Sequence, residues 1–146
     1  MANLTNTRGL LGTGKYTKVR TFKAGGTIVA GRTVALDIVG ATGEDRCVEV
    51  LEGTATVATS NCIVGVALEA ASAGDDVRVA VAGYVEGVLT DGNVTIGMHL
   101  MAAAGGALIP YLNDSAVDAR PIGFALETDS GTTCDVFLFD LFPDFQ

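Results

Sequence analysis

Glu69 and Glu127 have the strongest claim to chemistry, because each closes a matching hexapeptide: Val64-Gly65-Val66-Ala67-Leu68-Glu69 and Ile122-Gly123-Phe124-Ala125-Leu126-Glu127. Two carboxylates brought together at equivalent strand ends could divide acid and base work, as glycoside hydrolysis requires. A position just before a turn suits a solvated strand-end charge equally well. Glu44-Asp45, Asp75-Asp76 and Asp91-Gly92-Asn93 offer oxygens that calcium could use, but none follows the twelve-residue loop pattern. His99 is the only histidine, so a zinc site built on two or three imidazoles cannot form within one chain, and no GxSxG elbow accompanies it. Cys47, Cys62 and Cys134 lack metal spacing and read as buried free thiols. Gly9 to Lys15 fits GxxxxGK, yet Tyr16 stands where Ser or Thr would hold a metal, and no apolar strand precedes Gly9. No catalytic residue, metal ligand or cofactor is expected, and an enzyme is not.

The charge distribution is more informative. Arg8, Lys15, Lys18, Arg20 and Lys23 supply five of the nine cations, and the first acid is Asp37. Residues 1–24 therefore carry +5, while the rest carries 4 − 17 = −13. A basic segment of this kind, with Tyr16 among its charges, reads as an extended arm that docks on an acidic surface of a partner or of a neighbouring copy. The net charge of −8 argues against nucleic acid and anionic membranes as partners. The segment from Phe137 to Phe145 holds four of the six phenylalanines, some of which should be buried in the core or against another subunit.

The elements that must carry these residues are strands. In 146 residues there are 19 Gly, 3 Pro and no Trp, 49% of residues are hydrophobic, and mean hydropathy is +0.42, which suits pleated strands and tight turns. An all-β fold is expected, and disorder is not. Asp76 to Ala82 alternates cleanly, with Val77, Val79 and Val81 on one face. Further strands are expected at Val48–Val50, Ala55–Val57, Ile63–Leu68, Tyr84–Leu89, Ala107–Ile109, Ile122–Leu126 and Val136–Phe139, with turns between them. The N-terminus lacks the pattern of an export signal, and the uncharged stretch Gly92 to Asn113 is broken by Pro110 and Gly105-Gly106, so no membrane span is expected.

A second pair of echoes, Gly26 to Val34 against Gly92 to Leu100, recurs in the same order as the hexapeptides. The offsets are 66 and 58 positions, which suggests two related β units in tandem. The expected organisation is a basic arm at 1–24, a first unit at 25–89, and a second unit at 90–146 packed against it.

The runs IVGVALEAASAGDDVRVAVAGYVEG and RPIGFALETDSGTTCDVFLF resemble the small β-rich decoration, or cement, proteins of tailed-bacteriophage capsids. The resemblance implies a small barrel or tulip-like β domain, a homotrimer, and an N-terminal arm laid on the shell. It makes the major capsid protein the partner and the outer capsid surface of the virion the location. Arg8, Lys15, Tyr16, Lys18, Arg20, Lys23, Phe142 and Phe145 are the expected contact residues with shell or subunit. A carbohydrate- or surface-binding β module of a head fibre or tail structure is the alternative, although it would have only Tyr16, Tyr84 and Tyr111 as polar aromatic platforms.

Overall fold

A computed structural model describes residues 10–52, 62–111 and 120–141. Within them nine strands form one sheet: β1 (Lys18–Ala24), β2 (Thr33–Leu36), β3 (Glu49–Glu52), β4 (Ile63–Ala67), β5 (Asp76–Leu89), β6 (His99–Ala102), β7 (Leu108–Pro110), β8 (Gly123–Ala125) and β9 (Thr133–Leu138). The expected all-β class holds, and among the described residues the helical content is confined to two short 3-10 turns, at Gly43–Cys47 and Ala104–Gly106. The expected strand at Ala55–Val57 lies outside the described residues, as do Arg8, Phe142 and Phe145.

The first five strands close into a barrel in the order β1-β3-β2-β4-β5, with β5 returning to β1. β1 runs parallel to β3, and the other pairings are antiparallel. The remaining strands form a second ring, β5-β9-β8-β6-β7, whose last gap is bridged in parallel between Thr90 and Leu108. Both rings therefore have the same strand order, with β5 serving as last strand of one and first strand of the other.

The repetition extends to individual bonds. Thr33 pairs with Val66 and Val34 with Gly65, as His99 pairs with Phe124 and Leu100 with Gly123. Gly31 N donates to Ala67 O, and Gly97 N donates to Ala125 O, both at 2.9 Å. The bond from Gly25 N to Val50 O recurs as Asp91 N to Leu108 O. These pairs differ by the 66 and 58 positions read from the sequence echoes. After the Gly74 and Gly131 turns the offset falls to 57, so that Arg78 corresponds to Asp135, Val79 to Val136 and Ala80 to Phe137.

The interiors follow the same rule. The first ring buries Phe22, Ile28, Val34, Val50, Val77, Val79 and Val81. Their counterparts Val88, Val94, Leu100, Leu108, Cys134, Val136 and Leu138 belong to the second cluster. That cluster also takes in Ala35, Ile63, Val66, Leu68 and Ala80 from the outward side of the first ring. The outer side of ring one along β2, β4 and the first half of β5 is thus covered by ring two.

Two corrections follow. Residues 10–24, expected as part of an extended arm, belong to the body. β1 pairs with β5 along its length and buries Phe22 and Ala24, while Leu10 joins the second core and Thr13 bridges to Val85. The segment reads as a tail because five of the seven β1 residues face solvent, leaving only two apolar inward positions as a signal. The division at 89/90 also shifts. Asp76–Ala82 and Tyr84–Leu89, expected as two strands, are one 14-residue strand, and its second half pairs with β9 in ring two. Gly83 lets the strand turn from one ring to the other. Its φ of 94° lies in the left-handed region, and a Cβ there would come to 3.0 Å from Thr17 Cα.

Candidate interaction surface

The basic residues occupy the entry to the first ring. Gly14 N donates to Thr17 Oγ1 at 2.8 Å, and Thr17 Oγ1 donates to the Tyr84 carbonyl at 2.7 Å, which fastens the turn at Lys15 and Tyr16 to β5. Tyr16 is 83% exposed, with the Lys15 ammonium 5.5 Å from its ring centre. On β1, Lys18 pairs with Asp140 at 3.0 Å, Lys23 approaches Glu49 at 3.8 Å, and Arg20 faces solvent. Lys15, Tyr16, Tyr84, Phe137 and Asp140 line an open notch of about 340 Å³ between this turn and the β5–β9 junction. The structure thus brings Lys15 and Tyr16 to the notch with Tyr84 and Phe137, pairs Lys18 with Asp140 at its edge, and places Lys23 at the opposite end of β1.

GxxxxGK spacing at Gly9 to Lys15 has no helix behind it. β1 follows the lysine, so the backbone cradle of a nucleotide loop is not built. Glu69 and Glu127 do not meet as an acid and base pair. Glu69 Oε2 accepts from Arg78 N and Arg78 Nε, both at 3.0 Å, and Glu127 Oε1 accepts from Asp135 N at 3.0 Å. Each carboxylate caps the strand that follows it in its own ring. Two of the turn acids weighed as calcium ligands instead hold their own turns: Asp91 Oδ1 accepts from Asn93 N at 3.0 Å, and Asp75 Oδ2 accepts from Ser72 N at 3.1 Å. Cys134 is buried as expected, and burial pushes its thiol above the usual range, but Cys62 is only partly buried against the second core and Cys47 is exposed, at the end of a 3-10 turn with no buried residue.

Sequence reasoning missed the row of aromatic side chains across the outside of the second ring. Tyr84 on β5 stands opposite Phe137 on β9, Phe137 opposite Phe124 on β8, and Phe124 opposite His99 on β6. Phe124 and Phe137 stack with centroids 5.2 Å apart, and Phe139 closes edge-on against His99 at 5.8 Å. Phe137 is 40% exposed and His99 is on the surface. The Tyr84 hydroxyl donates to Glu86 Oε1 and Asp135 Oδ2, both at 3.1 Å, and burial together with these carboxylates raises its pKa far above the ordinary phenol value. Parity held the clue, since Phe124 and Phe137 each sit between small or aliphatic residues of inward phase. Among the described residues, no helix is long and apolar enough to cross a membrane.

No protein-family model matches the chain, and no curated protein sequence matches it. Among solved structures it is similar to the crystal structure of the head fiber gp8.5 N base in bacteriophage phi29, with a TM-score of 0.59 and 18% sequence identity. The likeness covers 88% of this chain and 99% of that chain. At this identity what the two share is the fold, across the whole of the fibre base.

Proposed function

We propose that this chain is a structural protein of a tailed-phage head, held as a homotrimer on the outer capsid surface and bridging neighbouring subunits of the major capsid protein. One observation carries the reading: the fold is that of a head fibre base over nearly its entire length. The architecture suits mechanical holding. Two rings sharing a strand make a stiff body, and repeated copies turn modest contacts into a strong collective attachment. Lys15, Tyr16, Lys18 and Arg20 would form the contact with the shell, together with Arg8, Lys23, Phe142 and Phe145. The partner would be protein, with no role for nucleic acid, membrane or cofactor.

The test is co-sedimentation with undecorated phage shells, comparing the native chain with a Lys15→Glu/Tyr16→Ala variant, whose changes lie at exposed turn positions. Native binding weakened roughly tenfold or more in the variant is expected for the loss of a central contact. Failure of the native chain to bind shells would overturn the reading, and equal binding by the variant would overturn this contact.

The fibre-base likeness also favours a second reading, in which the chain is a base or surface-binding module of a head fibre or tail structure and recognises carbohydrate. The row Tyr84, Phe137, Phe124 and His99 would then be a stacking platform. Retention on a glycan array with no affinity for shells would select this reading over the first.

A further inference from the structure

Among the described residues, the tandem repeat leaves two ends uncovered. On the first ring, Thr33, Val66, Leu68 and Ala80 form the outward face that the second ring covers, and all four are buried. Their counterparts on the second ring are His99, Phe124, Leu126 and Phe137. Here the same face is open: Phe137 is 40% exposed, Leu126 is 36% exposed and His99 is at the surface. Replacing Ala80 by Phe137 and Val66 by Phe124 at equivalent positions gives the open face more apolar surface than the covered one.

The part of ring two that sits on ring one is also identifiable. Its β6–β7 connection reaches Thr33, whose Oγ1 donates to Gly106 O at 3.1 Å, and Gly106 packs so closely that a Cβ would come to 2.8 Å from Arg32 Cβ. The counterpart in ring one is the β2–β3 connection, fixed by the bonds Asp37 N to Glu49 O and Ala103 N to Ala107 O. This connection is longer, none of the described residues is seen to cover it, and it exposes Ile38, Val39 and Val48, with Val39 at 80%. Repeat arrays stay soluble as single chains when their terminal faces are polar. Here the second-ring end exposes Phe137 and Leu126, and the first-ring end exposes Ile38, Val39 and Val48 beside the charged turn Glu44-Asp45-Arg46.

We propose that the aromatic face of ring two, centred on Phe137, Phe124 and His99, receives the β2–β3 connection of a second copy of this chain, continuing between copies the contact that ring two makes on ring one. The repeat supplies the occupant, and overall charge disfavours the symmetric alternative, although the connection itself carries Asp37, Glu44 and Asp45 against Arg46. Residues 1–78 hold eight cations and eight acids, whereas residues 79–146 hold one cation and nine acids, a net of 0 against −8. Pairing two aromatic faces about a two-fold axis would bring both acidic halves together, while the head-to-tail contact sets the acidic half against the neutral one. A head-to-tail contact closes into a ring at a copy number set by its rotation. The inference rests on the self-association in the proposed reading and is independent of the shell partner.

Sedimentation velocity of the full chain, native and substituted, tests it. Native chain should assemble from low to high micromolar concentration, while Phe137→Glu and Val39→Glu should each weaken assembly roughly tenfold or more. Mixing the two variants should then restore a 1:1 dimer and nothing larger, because one intact face meets one intact connection. That restoration also reports that both variants are folded. A monomeric native chain, assembly of Val39→Glu at native strength, or a monomeric mixture with native circular dichroism in both variants would overturn the proposal. Shell co-sedimentation that fails while the native chain still assembles would sink the shell reading alone.

Discussion

A carboxylate two residues beyond a strand can serve catalysis or bind the next strand's backbone, and the two uses demand different surroundings. Glu69 and Glu127 are committed to the second, each accepting a backbone N–H from the strand that follows. Pairing of small residues is equally local in cause. Gly65 and Gly123 occupy equivalent inward sites where a Cβ would overlap Ala80 O and Phe137 O respectively. Gly65→Ala should therefore destabilise the fold by about 1–3 kcal/mol through forced backbone displacement, and Gly123→Ala by a similar amount, as read from urea unfolding. Tyr84 makes a pH-dependent contribution with a definite sign. Its pKa is raised in the fold above the ordinary 10.0, so the native state holds its proton longer than the unfolded chain does. This contribution is fully present below about pH 10 and is lost as pH rises beyond it. Tyr84→Phe should flatten the alkaline fall of the urea midpoint relative to the native chain, and identical slopes would contradict the assignment.

At the scale of elements, the echo at offsets of 66 and 58 was legible because glycine turns and inward parity are local properties, repeated wherever the same turn is made. Gly31 and Gly97 carry nearly the same positive φ, 88° and 85°, in the two copies of one turn. β1, β2 and β6 were harder to read. β1 has only Phe22 and Ala24 pointing inward, and β2 and β6 are four residues each, too short for alternation to stand out. The aromatic row was hidden for another reason: it is assembled from β5, β9, β8 and β6, and registers between distant strands leave no trace in local pattern. The placement of β1 makes a sharp prediction. Phe22 is 4% exposed inside the first ring, so Phe22→Ala should cost about 3–5 kcal/mol. An idle arm would lose nothing, and an unchanged thermal midpoint would return residues 18–24 to that description.

For the whole molecule, the decisive feature is that one strand completes both rings. Val77, Val79 and Val81 on the first half of β5 fill the first core, while Val85 and Val88 on its second half fill the second. Ring two also needs the outward side of ring one, since Val66, Leu68 and Ala80 are part of its buried cluster. Neither ring can open without stripping a wall from the other, so the two should unfold as a single cooperative unit although the sequence reads as two repeats. Val79→Ala tests this, because Val79 is fully buried in the first core and far in sequence from β8 and β9. Amide exchange should accelerate in Gly123–Ala125 and Thr133–Leu138 by the same factor as in Ile63–Ala67, following the loss of global stability. Continued protection of β8 and β9 while β4 exchanges freely would mean that the second ring stands alone, and that β5 is a linker between two domains rather than their common wall.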